Sequence, residues 1–211
     1  TAVGELALSN NTTGIRNVAV GSSALFTKTT GNDNTAIGTG SLYSNTTASF
    51  NTGVGQNTLE LNTTGANNVA VGVQALRANT TASNNTAVGK DALLANTTGY
   101  ENTAVGKDSL TANTTGFRNQ SFGTASLLAN TTGEDNTSLG QSSMQTNTTG
   151  DKNTAVGNYA LKSATTADSN TTIPQLVIRL YYLIPQAQAT RQLVMVQVIM
   201  SQQEVIIPFW V

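Results

Sequence analysis

Eight asparagines at one recurring place in the chain are each followed by two threonines: Asn11, Asn45, Asn62, Asn79, Asn96, Asn113, Asn130 and Asn147. Each is formally an acceptor for N-linked sugar, and a file of them would sheath the molecule in glycan. The same residue types are turn formers, whose short side chains bond to nearby backbone and form ladders between repeats. Turn chemistry is the stronger expectation, with the corners facing solvent and the eight asparagines as candidate glycosylation sites.

Other chemistry has little to work with. The 211 residues include no His and no Cys. That removes the usual zinc, haem and iron–sulfur ligands and any Ser/His or Cys/His catalytic pair, and it leaves disulfides no part in stability. The carboxylates are Glu5, Asp33, Glu60, Asp91, Glu101, Asp108, Glu134, Asp135, Asp151, Asp168 and Glu204. None recurs with the glycine–aspartate spacing of calcium-binding β-rolls. No catalytic, cofactor-binding or metal-ligating residue is therefore expected, and no cofactor. Ten Lys+Arg against 11 Asp+Glu, a net charge of -1, lack the basic excess that phosphate neutralisation needs, so nucleic acid is not an expected partner.

What positions these residues is a repeat. Gly4, Gly21, Gly38, Gly55, Gly72, Gly89, Gly106, Gly123, Gly140 and Gly157 follow one another at steps of 17 without an insertion. The motif is Asn-Thr-Ala-Val-Gly-x-x-Ala-Leu-x-x-Asn-Thr-Thr-Gly-x-x, as in residues 85 to 101. Two columns are large and apolar. One contains Val88 and its equivalents from Val3 to Val156; the other contains Leu93 and its equivalents from Leu8 to Leu161. Both are expected to be buried, with Lys90 and Asp91 exposed between them.

Two large side chains cannot compensate the ordering of an entire repeat, so a coil is stable only when stacked on others. The expected fold is all-β, a β-solenoid (parallel β-roll) of ten coils over residues 1 to 172. Thr-Ala-Val, β-branched and closed by glycine, is the strand. The stretch from Asp91 to Asn96 reads as a second short strand in preference to a one-turn helix.

The motif resembles repeats of phage and bacterial tail-fibre-like surface proteins, and its Ala-Val-Gly-x-x-Ala core is similar to the head repeat of trimeric autotransporter adhesins. The resemblance covers residues 1 to about 172. It implies a parallel β-roll in an extracellular fibre, filament or adhesin shaft, on a cell or virion surface. Its implied partners are further copies, as a filament or homotrimer, and host-surface glycans or proteins, with no membrane span. The chain begins inside a motif, so it is expected to be a segment of a longer array.

Regular threonines raise a different class, ice binding. Against it, adjacent threonines such as Thr97 and Thr98 point to opposite faces of an extended segment. The other threonine column is interrupted by Val18, Val69 and Gln120, and no second flat row is evident.

Composition breaks after Asn170. Residues 173 to 211 contain no Gly or Asn and hold all three Pro. Yet Gln175-Leu176-Val177 returns as Gln192-Leu193-Val194, and Pro174 to Val177 matches Pro208 to Val211, both at multiples of 17. A period that survives a change of residue type points to repeating DNA read in a shifted frame. Residues 173 to 211 are therefore expected to be an apolar, strand-rich tail of frameshift origin. It is either a real product or a sequence error that hides further coils.

Overall fold

The computed structural model describes residues 1–27, 29–172, 194–200 and 203–209. Two compact units are present, Thr1–Pro174 and Gln175–Val211. In the first, eleven short strands run from β1 (Ala2–Val3) through β6 (Thr86–Val88) to β11 (Thr171–Thr172). They pair in chain order, all parallel, as one sheet. Partners are always one full repeat apart: Thr86 faces Thr103, Ala87 faces Ala104 and Val88 faces Val105. In the second unit, β12 (Val194–Met200) and β13 (Gln203–Phe209) pair antiparallel. The repeat region is thus the expected β-solenoid. The frameshift expectation for residues 173 to 211 falls largely outside the described residues.

The side of the strand that faces inward differs from expectation. In β6 the middle residue, Ala87, is fully buried while Thr86 and Val88 are only partly so. In the other three-residue strands, too, the middle residue is buried and its neighbours are not. The valine column is therefore not core. It stands on the outer face beside the threonines, because strand side chains alternate and the alanine has taken the interior. The interior at this position holds only small residues, Ala, Gly or Ser from Ala19 to Ala155. Beside Thr58 it is tighter still: a Cβ added at Gly53, the glycine of the alanine column, would lie 2.5 Å from Ser41 Oγ and 2.8 Å from Thr58 Oγ1.

What fills the interior is one large side chain per coil. Leu25, Leu42, Leu59, Leu76, Leu93, Leu110, Leu127 and Met144 are fully buried, with small residues such as Ala24, Ala75 and Ala92 beside them. Facing volumes compensate. Where Thr58 replaces the alanine before the leucine, Gly53 replaces the alanine of the strand. Gly53→Ala alone is expected to cost about 2 kcal/mol through overpacking, and Thr58→Ala in the same chain should recover most of it. Denaturant midpoints of the two single variants and the double variant measure this coupling; additive losses would contradict the shared space.

The second half of each coil is neither strand nor helix but a run of tight turns. In the coil of β6, Ala92 N–H donates to the Gly89 carbonyl, Leu94 N–H to that of Asp91 and Asn96 N–H to that of Leu93, at 3.2–3.3 Å. Asp91 and Leu93 take φ of 59° and 52°, which makes the first two turns type II. Asp, Asn and Gly tolerate this left-handed region, and the Asp91 column includes Gly40, Asn57 and Asp108. Leucine does not favour it, yet Leu8, Leu25, Leu42, Leu59, Leu76, Leu93, Leu110, Leu127, Met144 and Leu161 all have φ of 46–53°. The strain, on the order of 1 kcal/mol each, is smaller than the ~2–3 kcal/mol available from burying a leucine side chain. Backbone pairing holds the conformation: Leu93 N–H donates to the Ser109 carbonyl (3.0 Å) and Asp91 N–H to the Val73 carbonyl (3.0 Å), one coil ahead and one behind.

Candidate functional surface

Two asparagine columns run through the interior. In the corner column, Asn113 Nδ2 donates to Asn96 Oδ1 (2.8 Å) and to the Gly116 carbonyl (2.9 Å), while its own Oδ1 accepts from Asn130 Nδ2 (2.9 Å). The pattern continues from Asn62 to Asn147, each amide reaching back one coil. In the second column, Asn102 Oδ1 accepts the backbone N–H of Asn119 (2.9 Å) and Asn102 Nδ2 donates to the Gly116 carbonyl (2.8 Å). The Gly116 carbonyl thus receives one amide from each column. A buried amide costs little when all its groups are bonded, and the regular register of the coils supplies the partners.

This corrects the solvent-facing corner. Asn45, Asn62, Asn79, Asn96, Asn113, Asn130 and Asn147 are fully buried, and Asn11 is partly so. An amide nitrogen whose two hydrogens are both engaged, away from solvent, is a poor glycan acceptor in the folded coil. The orphaned amide oxygens fit the ladder logic. Asn11 Oδ1 and Asn147 Oδ1 lack a donor. The equivalent positions in the next repeat are Lys28 and Ala164 in the sequence, which break the run of asparagines.

The two threonines of the corner divide their roles. Thr97 is partly buried and its Oγ1 donates to the Thr114 carbonyl (3.1 Å). Thr98 and its equivalents from Thr13 to Thr166 are all exposed. Both threonines persist beside Lys28 and beside Ala164, where the asparagine is absent. The corner threonines therefore do not depend on the glycan-acceptor pattern.

A buried chain of hydroxyls crosses the later coils. Ser109 Oγ donates to Ser121 Oγ (2.7 Å), Ser121 Oγ to the Ser126 carbonyl (3.0 Å), and Ser126 Oγ to Ser138 Oγ (2.7 Å). No titratable base adjoins it among the described residues, and its members bond to one another and to backbone.

Charged side chains lie on the turns. Arg118 donates to Asp135 through Nε (2.6 Å) and Nη2 (2.7 Å), across one coil step, and covers the face of Phe117, which stacks on Tyr100. The guanidinium holds the Asp135 carboxyl below the usual carboxylate range, and Arg16 does the same to Asp33, chiefly through their hydrogen bonds. Glu60 pairs with Arg77, Lys90 with Asp91 and Lys107 with Asp108. Lys90 is exposed as expected, whereas the Asp91 side chain is only 13% exposed. Among the described residues no three His, Cys, Asp or Glu side chains come together as a metal site, and no helix is long and apolar enough to cross a membrane.

The outer face of the sheet carries no charge. Two side chains from each of the nine three-residue strands, eighteen in all, point outward. One file is Val18, Thr35, Thr52, Val69, Thr86, Thr103, Gln120, Thr137 and Thr154. The other is Val20, Ile37, Val54, Val71, Val88, Val105, Phe122, Leu139 and Val156. Ile37, Val69, Phe122 and Leu139 are each between 37% and 48% exposed. Sequence reasoning missed this face because it placed the valines inside. The alternation of Thr, Ala and Val places threonine and valine on one face and alanine on the other, but does not say which face is inside. Comparison with protein-family models, with curated proteins and with solved structures yields no match.

Proposed function

We propose that the repeat region is a non-catalytic structural rod, a segment of an extracellular fibre or adhesin shaft that associates with further copies of itself. The observation that carries this reading is repetition: between the end coils the interior column from Leu25 to Met144 is buried alike in coil after coil, and no described coil is singled out by a cluster of reactive groups. With strands ~4.8 Å apart, eleven of them extend about 50 Å, which suits a spacer. Continuous hydrogen-bond ladders along the stack suit a load-bearing element. Antibodies raised against the rod should label intact cells or virions of the source; labelling that appears only after lysis would overturn the surface location.

Ice binding is the second reading, favoured by one observation. The outward valine column gives the threonine file the parallel neighbour that the sequence had not revealed. Gln120, Phe122 and Leu139 interrupt its flatness and count against it. Absence of thermal hysteresis at millimolar concentration would remove it.

A further inference from the structure

We infer that the charge-free outer face of the sheet is the lateral contact between copies of this chain, packed face to face. This rests on the self-associating rod reading and names the surface that reading requires.

Charge argues first. The five ion pairs among the described residues lie on the turns, while eighteen consecutive outward strand positions hold no Lys, Arg, Asp or Glu. Depletion of charge is what marks the centre of a protein interface relative to the rest of the surface.

Periodicity argues for a second copy over an unrelated partner. The face is a ladder of rungs at the coil spacing, so another face of the same chain matches it rung for rung. Valine from one copy can then fill the gaps between rungs of the other. The middle strand of the eleven is β6, so a two-fold axis through the middle of the sheet brings Val88 close to Val88 of the second copy.

Area is sufficient and no more. A face about 50 Å long with its two files ~7 Å apart covers on the order of 500 Å². Two such faces bury on the order of 1,000 Å², near the lower limit of a specific interface. Contact along the full rod is therefore required, and a single charge at its centre should suffice to break it.

The chain has no native cysteine, which permits a clean test on the full chain. Val88→Cys should form a disulfide-linked pair of twice 21.8 kDa under mild oxidation. Thr98→Cys, exposed on another face, should yield at least tenfold less. Val88→Lys should shift the sedimentation mass to the monomer with unchanged circular dichroism. Equal crosslinking at both sites, or a Val88→Lys variant that stays associated and folded, would overturn the assignment of this face while leaving the associating rod intact. A wild-type chain that is monomeric at about 100 μM would overturn face and self-association together. If that monomer also showed thermal hysteresis lost in Val88→Lys, the face would belong to ice.

Discussion

Gly89→Ala should destabilise the rod by about 3 kcal/mol or more, whereas Gly99→Ala, in the next corner of the same coil, should cost less than about 1 kcal/mol. Gly89 has φ of +136°, a region that L side chains rarely adopt, and a Cβ there would sit 2.5 Å from the Gly106 carbonyl oxygen. Strain of this kind costs ~1–3 kcal/mol before any clash with the next coil's backbone is counted. Relief would require the two coils to move apart, which lengthens the strand and turn hydrogen bonds on both sides. The glycine is present in all ten coils.

Gly99 is a sharper control than a surface residue. A Cβ there would also come close to backbone, 2.2 Å from the Gly116 carbonyl oxygen, but Gly99 does not have a positive φ. Its column holds alanine at Ala48, Ala82 and Ala167. The chain therefore already accommodates that methyl group by a small local shift. Chemical denaturation of both variants, with constant m-value, checks the contrast. Equal losses would mean that crowding alone, and not backbone conformation, selects glycine in the first column.

The second large effect is expected from a one-atom change in the interior. Asn113→Asp replaces an amide that donates to Asn96 Oδ1 and Gly116 O with a carboxylate that can donate to neither. Two acceptors then lie against a buried negative charge, and only the bond from Asn130 Nδ2 survives. The loss should be about 3 kcal/mol or more at pH 7.

Its pH dependence has a definite sign. Burial and the missing donors raise the folded-state pKa of the new carboxyl above its unfolded value. The neutral acid can donate one bond, so the deficit is smallest at low pH, below the unfolded pKa. It grows as pH rises and is complete above the folded pKa. Asn84→Asp, at an exposed left-handed position, should change stability by less than about 0.5 kcal/mol at any pH. Denaturant titrations of both variants across pH decide it. A pH-independent loss in Asn113→Asp would mean that the amide is valued for shape alone.

Much of the architecture was legible in the chain itself. Ten glycines at steps of 17 set the number and register of coils, and every observed pairing in the repeat region, such as Val88 with Val105, obeys that step. The Thr-Ala-Val strand and the buried Leu93 column were equally readable, since β-branched residues closed by glycine favour a short strand and a lone leucine per coil must find an interior. That the chain has no imidazole or thiol, and so none of the usual zinc and haem ligands, needed only the inventory.

The tertiary structure alone decided three things. Ala87 points inward and Val88 outward because the coil is narrow. Alternation in a three-residue strand allows either face to be buried, and hydrophobicity favours the wrong one unless the width of the interior is known. Asn96 is buried because stacking brings Asn79 and Asn113 within hydrogen-bond distance of its amide, beside the Gly99 carbonyl of its own coil. No partner within its own coil could satisfy the whole group, so its polarity read as surface. Leu93 sits at a left-handed φ because pairing with the coils on either side holds the backbone there against the residue's own preference. For Asn96 and Leu93 the deciding contacts come from neighbouring coils, about a full repeat away along the chain, where local sequence carries no information about space.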